Sequence, residues 1–126
     1  YQLNEAYCEP KPAQKPRPPF VIGGKGEKRL LRTVAMWADH YNYPDPDVED
    51  FKYRLEVLDR WCDELGRDRA EIETSLQIWV EDVDQAAAAA HEAREAGADH
   101  VIFYLPPPHE VPLLEALATA VDDLTG

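Results

Sequence analysis

With 126 residues, the chain has room for one ordinary domain and not for two. Thirteen basic against 25 acidic side chains leave a net charge of −12, which argues against a nucleic-acid backbone or an anionic membrane surface as the main partner. At 44% hydrophobic residues, with three Trp, it is too apolar for a disordered acidic tail, and no apolar run reaches the ~20 residues of a membrane span.

The chain opens on Tyr1-Gln2-Leu3-Asn4, with no initiator Met and no apolar signal segment, and so reads as a piece of a longer product. Cys8 and Cys62 share no CxxC spacing, so neither a disulfide framework nor a zinc knuckle is indicated and a reducing, cytoplasmic setting is expected. Residues 1–19 form a Pro-rich lead-in. Pro10, Pro12, Pro16, Pro18 and Pro19 cannot be helical, because each lacks an N–H and biases its predecessor toward extended backbone.

Residues 20–126 then alternate in period. Phe20-Val21-Ile22, stopped by Gly23-Gly24-Lys25-Gly26, reads as a short buried strand running into a tight turn. Leu30, Leu31, Val34, Trp37 and Ala38 recur at helical spacing, and Asp39 to Tyr43 reads as a second strand. Pro44-Asp45-Pro46-Asp47 supplies helix caps. Phe51, Leu55, Leu58, Cys62 and Leu65 make one apolar stripe, closed by Gly66 at a left-handed C-cap position, so Cys62 reads as a core residue and not as a nucleophile. Thr74 to Val80 is the third strand, and Asp82 caps an Ala-rich helix ended by Gly97. His100 to Leu105 has no polar alternation, so both its faces are expected to be buried. The last helix, from Glu110 to Leu124, carries Leu113, Leu117, Val121 and Leu124 as its stripe.

Strand and helix thus alternate four times. Ala38-Asp39-His40 and Ala98-Asp99-His100 each close a helix and open a strand, sixty residues apart. An eight-stranded barrel of ~250 residues allots roughly 30 to each unit, so the echo spans two units and the chain holds four. The expected fold is α/β, four β-α units forming the C-terminal half of a TIM-type barrel.

His40, His91, His100 and His109 show no metal-binding spacing, and no metal site is expected. His109 follows the fourth strand, on the face where barrel active sites form, and is a candidate for the substrate side. No nucleophile elbow or Cys/His pair is visible, and no catalytic residue is assigned. Gly23-Gly24-Lys25-Gly26 admits two readings. It can be a plain tight turn, or a cradle in which glycines let the backbone approach an anion, helix N–H groups point at it and Lys25 adds charge.

The stretch from Pro10 to Lys28, through Pro18-Pro19-Phe20-Val21-Ile22-Gly23-Gly24-Lys25-Gly26, resembles the middle of the bacterial luciferase-like monooxygenase superfamily. Leu30 to Asn42, with Ala38-Asp39-His40-Tyr41-Asn42 as its ending, is similar to that family's next helix, and Gly66-Arg67-Asp68 and Glu95 to Val101 look like two further markers. The likeness is greatest to the branch that uses the deazaflavin coenzyme F420, and a flavin mononucleotide (FMN) branch shares much of the pattern. It implies that Gly23, Gly24, Lys25, Gly26 and Asn42 bind the cofactor, with the glycines at its phosphate. It also implies hydride transfer to or from a small organic substrate, and an N-terminal half-barrel with no counterpart here. The chain alone is then expected to be inactive, and to form a homodimer or to pair with that missing half. The alternative is a non-catalytic half-barrel module that self-associates.

Overall fold

A computed structural model describes residues 2, 4–7 and 9–124, so Cys8 lies outside the described residues. Four strands and four helices alternate: β1 (Val21–Gly23), α1 (Leu30–Trp37), β2 (His40–Tyr43), α2 (Val48–Leu65), β3 (Glu73–Trp79), α3 (Val83–Glu95), β4 (His100–Tyr104) and α4 (Val111–Ala120). Short 3-10 turns stand at Arg69–Glu71 and Asp122–Leu124. The strands make one sheet in the order β1-β2-β3-β4, parallel throughout, with Gly23 opposite Asn42, Asn42 opposite Ser75, and Ser75 opposite His100. Parallel neighbours in chain order, each joined by a helix, are half of a (β/α)8 barrel. The expected fold class holds.

One face of this sheet is packed and the other is open. Tyr41, Tyr43, Leu76 and Ile78 point to the outer face, where they share a buried cluster with Leu31 and Val34 of α1, Phe51, Leu58 and Cys62 of α2, and Ala86, Ala90 and Ala93 of α3. The alanines of α3 recur at steps of four and three, and their small side chains bring that helix close to the strands. Burial pushes the Cys62 thiol up, in keeping with a core role.

The caps form as their residue types dictate. Asp47 accepts the Asp50 N–H at 2.9 Å and Asp82 accepts that of Gln85 at 2.9 Å. Gly66 ends α2 at φ +67°, in the left-handed region. That turn aims Arg67 back across the fold. Its guanidinium donates to the carbonyls of Val34, Ala35 and Ala38 at 3.3, 3.1 and 2.7 Å, satisfying C-terminal carbonyls of α1.

The two Ala-Asp-His echoes are also alike in space. Asp39 accepts the Phe20 N–H at 2.6 Å while its own N–H donates to the Phe20 carbonyl at 2.9 Å. Asp99 accepts the Thr74 N–H at 2.7 Å, and its N–H donates to the Thr74 carbonyl at 2.9 Å. Each aspartate clamps the start of the preceding strand. Asp39 also pairs with Arg17, which ties the lead-in to the sheet.

Four expectations are corrected. The first strand is not buried: Phe20 stands ahead of it and is exposed, and Val21 faces the open side of an edge strand. The fourth strand is not buried on both faces: Val101 and Phe103 pack toward the helices, whereas Ile102 and Tyr104 are 38% and 40% exposed. Four strands do not close, and among the described residues all four helices lie on the outer side, so Ile102 and Tyr104 stay exposed on the inner one. Leu65 is exposed because a seven-residue apolar repeat drifts ~20° per repeat on a straight helix. Two repeats beyond Phe51, Leu65 has turned off the contact. Trp37 is exposed as well, since Leu31, Val34, Ala35 and Ala38 fill the packed side of α1 and its C-terminus.

Candidate functional site

The turn between β1 and α1 lies at the C-terminal end of the sheet. The Gly24 N–H donates to the Asn42 carbonyl at 3.1 Å, and the Tyr41 hydroxyl donates to the Gly24 carbonyl at 2.9 Å, so β2 holds the turn from below. Gly24 has φ +137°, and a Cβ there would stand 2.7 Å from Leu30 Cδ1. The glycine is therefore required by the backbone itself. A Cβ on Gly23 would stand 3.3 Å from the Asn42 carbonyl oxygen.

Beyond Gly24 the turn is open. Among the described residues, the exposed N–H groups of Lys25, Gly26 and Glu27 meet no backbone or side-chain acceptor. Arg29, at the N-cap of α1, makes no side-chain cap, and the first turn of that helix holds no acidic residue. Lys25 Nζ pairs with Asp45 at 2.5 Å and lies 5.2 Å from the centre of the Tyr43 ring. Free donors, an uncapped helix start and a surface lysine fit a phosphate group.

Asn42 is brought beside this turn by register, and its side chain faces the inner side. It belongs to a polar chain that links β2 and β3. Its Nδ2 donates to Ser75 Oγ at 2.7 Å, its Oδ1 accepts from Gln77 Nε2 at 2.6 Å, and His40 Nε2 shares Ser75 Oγ at 2.7 Å. His109 is in the loop after β4, exposed and at the opposite edge of the sheet from β1. Three strand spacings of ~4.8 Å place those two edges roughly 14 Å apart. The fold joins Gly23 to Gly26 with Asn42 and leaves His109 remote.

Two residues that spacing did not reveal stand between them. Trp79 and Tyr104, opposite one another at the ends of β3 and β4, stack with ring centres 4.6 Å apart, and Trp79 is 60% exposed. Their positions as strand-terminal aromatics before Val80-Glu81 and Leu105-Pro106 were the available signal.

The opposite end of the inner face holds His40, Glu73 and His100, whose ligating atoms all lie within 4.8 Å of one another. The imidazoles stack at 5.5 Å, and burial, then the neighbouring His100 ring, hold His40 below the ordinary histidine range. Both histidines start strands, as expected. Spacing along the chain could not show the cluster, because three separate strands supply it.

These features together define a half-barrel with an anion-ready turn at its C-terminal end. No protein-family model matches the chain, and no curated protein matches it in sequence. Among solved structures it is similar to the coenzyme F420-dependent tetrahydromethanopterin reductase of Methanopyrus kandleri, with a TM-score of 0.66 and 13% identity. The match covers 86% of this chain and 51% of the reductase, so the chain spans about half the length of that enzyme. Among the described residues no helix is long and apolar enough to cross a membrane.

Proposed function

We propose that the chain is the C-terminal half of a flavin- or deazaflavin-dependent oxidoreductase of the luciferase-like kind, in which Gly23 to Gly26 hold the cofactor phosphate. The backbone likeness to a coenzyme F420-dependent reductase carries this reading, and the open donors of the turn support it. Coenzyme F420 is the cofactor proposed, with FMN the alternative, and a small organic substrate and a cytoplasmic setting go with either. When bound, the cofactor supplies hydride transfer. The chain's own part is to receive the phosphate on the N–H groups of Lys25 and Gly26, to balance its charge with Lys25, and to brace the turn through Asn42 and Tyr41. Residues from the other half-barrel complete the site, so this chain alone turns over no substrate.

Gly24→Val does not isolate phosphate binding, because φ +137° and the Leu30 contact make it destabilising in any case. Lys25→Glu reverses charge at the turn and leaves its backbone alone. Titration of the chain with coenzyme F420, FMN and inorganic phosphate is expected to show at least about tenfold weaker binding in Lys25→Glu, with only a small fall in thermal midpoint from loss of the exposed Lys25–Asp45 pair. Binding indifferent to Lys25→Glu, or no binding of any of the three, overturns the phosphate assignment.

A second reading, a self-associating half-barrel, is favoured by one observation: Val21, Trp79, Ile102 and Tyr104 are exposed on one open sheet face. A homodimer that covers this face is expected in sedimentation, and Ile102→Asp should dissociate it. A compact wild-type monomer at micromolar concentration removes this reading.

A further inference from the structure

We propose that His40, Glu73 and His100 form a binding site for a divalent transition-metal ion of the zinc class, at the N-terminal end of the inner face. The proposal is independent of the cofactor reading, because it uses the other end of the sheet.

The geometry is that of a ligand set. Glu73 Oε2 lies 3.8 Å from His40 Nδ1 and 3.4 Å from His100 Nε2. Bonds of ~2.1 Å to a tetrahedral ion put neighbouring ligand atoms about 3.4 Å apart, so these separations already approach those of a filled site. Two imidazoles and one carboxylate, with a fourth position left to water, suit zinc better than calcium or magnesium, which take oxygen ligands.

The fold builds this arrangement. β2 and β4 are alternate strands, and in a barrel alternate strands contribute to the same interior layer. The repeated Ala-Asp-His places an imidazole at the start of each, and β3 sets Glu73 between them, opposite His40 in register. The aspartates of the repeats are spent on the strand clamps: Asp99 holds the Thr74 N–H and hydroxyl, and Asp39 holds Phe20 and Arg17. Ser75, fully buried, bonds His40 Nε2 and so turns Nδ1 toward Glu73, the outer-shell contact that fixes a metal-binding imidazole. The two rings now lie within 17° of parallel, so His100 must rotate about χ2 to bring its lone pair onto the ion. It is half exposed and has the space to do so.

The test is isothermal titration of the 126-residue chain with Zn2+, backed by the visible spectrum of the Co2+ form. Expected are one equivalent bound, a Co2+ spectrum of low coordination number, and at least about tenfold weaker binding in both His100→Ala and Glu73→Gln. Both positions are exposed, and circular dichroism checks that the variants fold. His91→Ala and His109→Ala, which lie outside the cluster, should bind as the parent does. Absence of binding below millimolar Zn2+ overturns the proposal. So does affinity unchanged in His100→Ala and Glu73→Gln, or lost in the His91 or His109 variants instead.

Discussion

The two faces of the sheet obey different rules, and β3 shows both within seven residues. Thr74, Leu76 and Ile78 turn outward under the helices, whereas Glu73, Ser75, Gln77 and Trp79 turn inward. The outer face is apolar and closed, and it is where the fold's stability is concentrated. The inner face carries histidines, amides, a carboxylate and stacked aromatics, and it is where the chemistry-bearing groups are found. A period of two residues along one strand is enough to separate the packed side from the polar one.

Adjacent substitutions on β3 should break that comparison most clearly. Leu76→Ala removes a fully buried side chain and is expected to cost about 2–5 kcal/mol in urea unfolding. Gln77→Ala, one residue on, removes a single hydrogen bond to Asn42 and should cost roughly 1 kcal/mol. Equal losses at the two positions would mean that the inner face is a core in its own right.

Arg67→Ala comes between these. It strips a charged donor from three carbonyls at the end of α1, with an expected loss of ~2 kcal/mol, and Arg67→Lys should restore only part because an ammonium lacks the fork. The smallest effect belongs to the strand clamp at Asp39. Its hydrogen bond to the Arg17 guanidinium, and after it that from the Phe20 N–H, hold this carboxyl below the ordinary carboxylate range. A carboxylate lowered on folding stabilises the protein above its unfolded value near ~4, and that contribution is lost as pH falls through the folded value. Asp39→Asn should therefore flatten the dependence of the thermal midpoint on pH below about 4 and leave its shape at neutral pH unchanged. An unaltered acid limb would show the clamp to be electrostatically idle.

Much of this architecture could be read from residue order. The steps of four and three from Phe51 to Cys62, with Gly66 after them, marked α2 and its end, and the Ala-Asp-His echo carried the two-unit spacing of a barrel. The glycine turn and Asn42 were identifiable as neighbours only through resemblance, and register then put them together. What could not be read depends on closure and on long reach. An all-apolar β4 looks the same whether one face or two are covered, so the exposure of Ile102 and Tyr104 was hidden. A cluster assembled from residues 40, 73 and 100 has no local spacing to betray it. Nor does an arginine in a polar connection announce that its acceptors lie some thirty residues earlier.

That reach of Arg67 has a consequence for the order in which the chain can mature. During synthesis α1 leaves the ribosome first, and its terminal carbonyls wait for a donor until residue 67 has followed. Asp39 likewise fastens backward to residue 20, and Asp99 backward to Thr74. In each of these three latches the later residue supplies the side chain and closes onto a segment already made. At these points each unit is finished by the one that follows it in the chain.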